Sequence, residues 1–214
     1  MKKYVFFSIM AALLAVSCSK NAPQEVQLVK LGGKPKTVKV GAGSDVAQFE
    51  VISNVPYTAR IVQGNNWASF PGGTQTMSGE GNGNITVILN ANTGIKRTAK
   101  IVLEYSTRSD TLRVNQECLP EYDEYVKLSE TSVTIPPEGG DVEIGVTTNV
   151  MRHLITPFAY SERILGLGLR NGKLYFRADA NDTYNPVNTK VTLTFINGWE
   201  EPQVAAVTVF QGFI

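Results

Sequence analysis

One pattern occurs twice in this chain, in the same order, and it restricts the fold to two copies of a single strand-rich unit. Lys36-Thr37-Val38-Lys39-Val40 is matched 95 residues later by Thr131-Ser132-Val133-Thr134-Ile135. At the same offset, Phe49-Glu50-Val51-Ile52-Ser53-Asn54-Val55 is matched by Ile144-Gly145-Val146-Thr147-Thr148-Asn149-Val150, and Leu112-Arg113-Val114-Asn115-Gln116 by Val207-Thr208-Val209-Phe210-Gln211. Between them, the segment from Asn92-Thr93 to Ile101 aligns with Asp182-Thr183 to Val191 at an offset of 90. Four matches in order mark an internal duplication. The second copy loses five residues early and regains five in its last hairpin. The strand before Asn181 fits an offset of 89 or 91.

Within each copy the apolar residues alternate. Ala47, Phe49 and Val51 share one parity, as do Ile85, Val87 and Leu89. The same holds for Ala99, Ile101, Leu103 and Tyr105, and for Leu112 and Val114. Period two with one apolar face is the signature of half-buried strands, and no run shows helical spacing. Six or seven short strands per ~90 residues, with Gly, Asn and Pro turns between them, predict an immunoglobulin-like sandwich. The expected fold class is therefore all-β, with two tandem sandwiches at residues 26–118 and 126–214. Residues 119–125 form a short polar linker.

The N-terminus carries a different signal. Lys2 and Lys3 precede an uncharged run of thirteen residues, from Tyr4 to Val16. That is too short for the ~20 residues of a membrane span, so it reads as the apolar core of a signal peptide. It ends at Leu14-Ala15-Val16-Ser17-Cys18, which resembles the lipobox cut by lipoprotein signal peptidase. The resemblance implies a signal peptide over residues 1–17 and a diacylglyceryl group on Cys18. Two chains meet the requirement for stable anchoring. Residues 18–25 then form a tether, and the expected location is an outer-membrane lipoprotein. Ser19 to Pro23 has no acidic run of the kind surface-exported lipoproteins carry, which leaves the membrane face open.

Composition removes several function classes. Lys2 and Lys3 leave with the signal, so 18 basic residues face 19 acidic ones, and no nucleic-acid footprint is present. Cys18 and Cys118 are the only cysteines, so lipidation leaves no intrachain disulfide. Cys118 reads as a small buried hydrophobe. His153 is the only histidine, so any Ser-His-Asp arrangement would have to use it. One His and one Cys cannot complete a structural zinc site. Asp179 to Thr183 lacks the glycine and glutamate of a calcium loop and reads as a turn capped by Asx side chains. No cofactor or metal is expected. A glycosidase needs two carboxylates flanking one bond, which sequence cannot place.

A family resemblance is carried by the first copy. Ser53-Asn54-Val55-Pro56-Tyr57, Asn66-Trp67-Ala68-Ser69-Phe70, the Ser78-to-Asn82 turn, Asn92-Thr93-Gly94 with Arg97-Thr98-Ala99-Lys100-Ile101, and the closing Gln116 follow in order. This set resembles the BACON domain, an immunoglobulin-like module of gut Bacteroidetes. The second copy keeps Thr148-Asn149, Asp182-Thr183 and Gln211 but lacks the Trp, so it is a divergent copy. The resemblance implies a non-catalytic carbohydrate-binding accessory protein. The alternatives are a structural spacer or assembly subunit with an outer-membrane protein partner, and a glycoside hydrolase. The absence of a catalytic domain after Gln211 favours the non-catalytic readings.

Two tryptophans are the candidate sugar-binding residues. Trp67 holds the family's tryptophan position and is expected to pack mostly between the sheets. Trp199 follows Asn197-Gly198, a hairpin-turn signal, near the tip of the lengthened hairpin. It can serve a glycan, contact another protein surface, or fold back on the adjacent sheet. Asp110-Thr111-Leu112 resembles an O-glycosylation sequon of exported Bacteroidetes proteins, with Thr111 placed at a hairpin turn.

Overall fold

A computed structural model describes residues 36–213 and, for the backbone alone, Val29–Leu31. Cys18, the signal peptide and the tether lie outside the described residues.

The chain is all-β, and among the described residues there are three short 3-10 turns. The first sandwich contains β1 (Val29–Leu31), β2 (Thr37–Val40), β3 (Asp45–Ser53), β4 (Tyr57–Gln63), β5 (Ala68–Ser69), β6 (Thr76–Gly79), β7 (Gly83–Leu89), β8 (Arg97–Tyr105) and β9 (Arg108–Gln116). Its sheets run β1-β3-β7-β5 and β2-β9-β8-β4-β6. The second contains β10 (Val126–Leu128), β11 (Ser132–Ile135), β12 (Gly140–Thr148), β13 (Thr156–Ala159), β14 (Ile164–Arg170), β15 (Lys173–Ala178), β16 (Val187–Ile196) and β17 (Pro202–Gln211). Its sheets run β10-β12-β15-β14 and β11-β17-β16-β13. The two orders coincide strand for strand, except that β6 has no counterpart. In both copies the opening segment is divided between the sheets, and its second half pairs parallel to the last strand. This is the immunoglobulin arrangement of a four-stranded sheet against one built on the central hairpin.

The alternating residues build the core. Ala47, Phe49, Val51, Ile85, Val87, Ile101, Leu103, Leu112 and Val114 are all buried in one cluster drawn from both sheets. Ile144, Leu174, Phe176, Val191, Leu193, Val207 and Val209 do the same in the second. Full burial of one such side chain contributes roughly 1.5–3 kcal/mol.

Cross-strand register settles the alignment of the copies. Phe49 faces Ile85 and Ala47 faces Val87, while Ile144 faces Leu174 and Val142 faces Phe176, so β7 and β15 correspond at an offset of 89. Ile101 faces Leu112 and Val191 faces Val207, so β8 and β16 differ by 90 and β9 and β17 by 95. The five additional residues therefore lie in the last connection. The first copy turns at Ser106-Thr107, between the paired Tyr105 and Arg108. The second turns through residues 197–201, between the paired Ile196 and Pro202.

Each sandwich is closed by the same two buried amides. Gln116 donates from Nε2 to the carbonyls of Gly43 (2.9 Å) and Asn90 (3.0 Å). Gln211 donates to the carbonyl of Asp179 at 2.7 Å, with longer bonds to those of Pro136 and Pro137. Asn92 donates to the carbonyls of Ile95 and Glu117, and Asn181 to those of Asn185 and Gly212, all at 2.7–2.8 Å. Thus Asn181, not Asp182, is the counterpart of Asn92. The sequence offset of 90 is one residue out at this point, because Asp182-Thr183 imitates Asn92-Thr93. Asn181 also caps its own turn, accepting the Thr183 N–H at 3.2 Å, which is the Asx geometry expected there.

Candidate functional site

The lengthened hairpin of the second sandwich does not project into solvent. Asn197 shapes the tip from within: its Oδ1 accepts the backbone N–H groups of Trp199 (2.9 Å) and Glu201 (3.0 Å). Glu200 takes a left-handed backbone, φ +63°. The result is a compact turn that thrusts Trp199 and Glu200 onto the outer face of the first sandwich.

Trp199 is only 6% exposed. Its indole N–H donates to the carbonyl of Gln116, at the end of β9, at 2.9 Å. The ammonium groups of Lys39 and Lys96 lie 4.2 and 5.0 Å from the ring centroid, within cation–π range. The Glu200 carboxylate pairs with Lys100 and Arg113 and accepts from Gln63. The hydrogen bond from Lys100 holds this carboxyl below the usual range; burial opposes it, and the bonds from Arg113 and Gln63 add to the lowering. Gly198 packs its backbone on that of Lys96, where an added Cβ would stand 1.5 Å from the Lys96 carbonyl oxygen. The linker joins the contact: Asp123 pairs with Lys96 at 2.7 Å, and Glu124 accepts the Gly198 N–H at 3.1 Å. Under this cover the outward-facing Thr98 and Asn115 of the first sandwich are buried and bonded to each other.

Trp199 is therefore a latch between the sandwiches: of the places open to it, the exposed sugar platform is not the one it takes, and it folds onto a sheet, that of the other sandwich. A large ring at a polar tip gains by leaving water, and the neighbouring domain receives it with two ammonium groups over the ring and a carbonyl for the indole N–H. The signal available in sequence was the five-residue difference between the hairpins. What those residues touch could not be read from it.

Trp67 is half-buried against the first core, and the Arg97 guanidinium lies 4.1 Å from its ring centroid. Arg97 also donates to Gln116 Oε1 at 2.9 Å, so the two tryptophans are joined through Gln116 and Arg97. Beside Trp67 is a small hollow lined by Asn65, Asn66, Ser69, Gln75 and Asn90. Gln75 donates from Nε2 to the carbonyls of Asn65 and Ala68 (3.2 and 3.1 Å), while its buried Oε1 has no protein partner.

The other sequence candidates separate. Thr111 is exposed, but it sits within β9 opposite Val102, not at the hairpin turn. The turn is Ser106-Thr107, with Ser106 at φ +51°. Asp110 is engaged by Lys36 and by the Tyr105 hydroxyl. His153 is exposed in the 3-10 turn Arg152–Leu154. Cys118 is a half-buried free thiol, and burial pushes its pKa up, with the Asp123 charge adding to it. Among the described residues no group of three or more His, Cys, Asp or Glu could hold a metal ion. Asp141 and Glu143 share a hollow on the second sandwich, but each is ion-paired, to Arg177 and Lys173. The hydrogen bond from Lys173 pushes the Glu143 carboxyl down, opposite to what a glycosidase acid needs.

No family model and no curated protein matches the chain. Among solved structures it is similar to a chimeric titin Z1Z2-Z1Z2 tandem, at 12% identity over 87% of this chain and 100% of that one, TM-score 0.43. It is similar to mouse cadherin-23 EC22-24, at 12% identity over 88% of this chain and 64% of that one, TM-score 0.34. A Bacteroides ovatus GH5 xyloglucanase in complex with a XXXG heptasaccharide matches at 15% identity over 43% of this chain, TM-score 0.37, and the match spans 19% of the xyloglucanase. Similarity at this level carries no functional argument, and the fold rests on the chain's own sheet order and register.

Proposed function

We propose that this chain is a non-catalytic, membrane-tethered lipoprotein whose two sandwiches act as one rigid spacer presenting a binding surface at the outer membrane. The observation that supports it most is the Trp199 latch. Five residues added to one hairpin are spent on fixing the second sandwich to the first, with buried indole, backbone contact and paired charge together. Ordinary tandem domains move relative to one another unless the interface is well packed. A fixed joint suits a part whose work is to set distance and orientation. Spin labels placed on the two sandwiches test this. A narrow distance distribution in the full chain, broadened by Trp199→Ala, is expected, and a broad distribution in the unaltered protein would sink the reading. The tether is tested separately: incorporation of labelled palmitate should be abolished by Cys18→Ala.

Carbohydrate binding is a second reading, supported by the resemblance of residues 26–118 to BACON modules and by the hollow beside Trp67. An indole rimmed by the amides of Asn65, Asn66 and Gln75 suits a neutral hydroxyl-bearing ligand. Titration against a glycan panel should show binding that Gln75→Ala weakens. Absence of binding at millimolar ligand removes this reading and leaves the spacer reading intact.

A further inference from the structure

The duplication leaves one place filled in the first sandwich and open in the second. In the first, β6 closes the edge of β4, with Tyr57 facing Gly79, Thr58 facing Ser78 and Ala59 facing Met77. Met77 is half-buried against the core there. Strand β13 is the counterpart of β4. Ala59 faces Leu103 and Pro157 faces Leu193, so Pro157 stands for Ala59 and Ile155 for Tyr57. Among the described residues no strand pairs with the free edge of β13. Beside that edge is an open hollow of about 520 Å³, lined by Ile155, Pro157 and Leu169 together with Arg152 and His153. The turn that bears Arg152 also exposes Met151 and Leu154, at 68% and 52%. Among the described residues Arg152 makes no ion pair.

The backbone of this edge selects among occupants. Tyr160 donates its N–H to the Lys190 carbonyl at 3.0 Å, so Phe158 turns its backbone groups toward β16, and Pro157 and Ala159 turn theirs outward. The first copy has the same parity: the Ile61 N–H donates outward to the Gln75 carbonyl at 3.0 Å. Pro157 has no N–H, and the Ile155 N–H is taken by the Arg152 carbonyl at 3.1 Å. The edge is therefore rich in acceptors, with the carbonyls of Ile155 and Pro157 facing out. Two such edges would set carbonyl against carbonyl, which disfavours a second copy. An acyl chain brings no N–H groups at all. A peptide brings them.

We infer that the free edge of β13 takes an extended peptide segment of a partner protein, laid where β6 lies in the first copy. A large apolar side chain covers Ile155, Pro157 and Leu169, and an acidic residue meets Arg152. The pattern is the chain's own: Met77 stands two residues before Gly79, and Glu80 follows. In strand addition of this kind, main-chain bonds give affinity and side-chain pockets give specificity. The inference rests on the spacer reading for its setting and names what the presented surface receives.

The probe is a fluorescein-labelled peptide with the sequence of residues 74–81, titrated into the full lipidated chain in nanodiscs. Saturable binding is expected, weakened about tenfold by Met77→Ser in the peptide. N-methylation of that methionine removes the N–H aimed at the Pro157 carbonyl and should also cost about tenfold. Arg152 is exposed, so Arg152→Glu leaves the fold intact; it should weaken binding about fivefold, and Glu80→Lys in the peptide should restore it. A photoreactive methionine at the Met77 place should cross-link to the second sandwich, between Arg152 and Leu169. No saturable binding at millimolar peptide, binding indifferent to N-methylation or to Arg152→Glu, or cross-linking to the first sandwich alone would each overturn the inference. So would a dimer in sedimentation that Arg152→Glu abolishes, since it would put a second copy on this edge. The spin-label distances that test the spacer reading depend on none of these results, so the two fail separately.

Discussion

The last hairpin of the first sandwich turns in two residues, whereas the last hairpin of the second turns in five and buries a tryptophan against its neighbour. The strands on either side are equivalent. The second copy thus carries its joint without a change of strand order or register, because residues added at a hairpin tip leave the pairing of its strands intact. The sheet faces diverged in the complementary sense. The first copy's face carries the lysines, arginine and small polar residues that receive the tip, and the second copy's has Phe158, Val204 and Phe210 where the first has Arg60, Ser109 and Asn115.

The comparison can be broken most severely at Trp199. Trp199→Ala is expected to remove about 3–5 kcal/mol of coupling, the range for a buried aromatic. Chemical denaturation followed domain by domain should then show the two sandwiches unfolding independently. Next in size are the closing amides. Gln116→Leu and Gln211→Leu each strip a buried set of carbonyls of their donor and should each cost their own sandwich about 1–3 kcal/mol. Equal losses would sharpen the equivalence of the copies, and a loss confined to one would break it. The alignment of Asn92 is tested by a pair of substitutions. Asn181→Ala should destabilise the second sandwich by about 1–3 kcal/mol, whereas Asp182→Ala should leave its unfolding midpoint unchanged.

The smallest effect concerns charge. The Glu200 carboxyl is held below its ordinary value when the latch is closed, first by Lys100. Its contribution is therefore present above the ordinary glutamate value and is lost as pH falls through the lowered one. The side chain is 37% exposed, so solvent screening keeps the contribution under about 1 kcal/mol. Glu200→Gln should erase that acid-dependent loosening, read as the emission of Trp199 in a Trp67→Phe background.

The strands were legible because alternation reports directly on burial: Ala47, Phe49, Val51 and their partners all face inward as the period of two requires. The extra residues of the last hairpin were legible as well, by counting. Their role was not, since period and propensity describe a segment and its own sheet, and the Trp199 contact lies with a surface 83 residues away in sequence. Thr111 was misplaced for a local reason. Ser106-Thr107 carries no glycine or asparagine to announce a tight turn, and Ser106 takes the left-handed conformation without either. The hollow beside Trp67 depends on Gln75, a residue that no motif singles out.

Gly198 sets a different kind of limit. Because its backbone rests on the Lys96 carbonyl with no space for a Cβ, the angle between the sandwiches is fixed by main chain against main chain. Side chains around the joint can drift in evolution and leave that angle alone. The joint then behaves as a set square: surfaces on the far sandwich can be exchanged for new ones, and each inherits the same orientation toward the near sandwich without having to find it again.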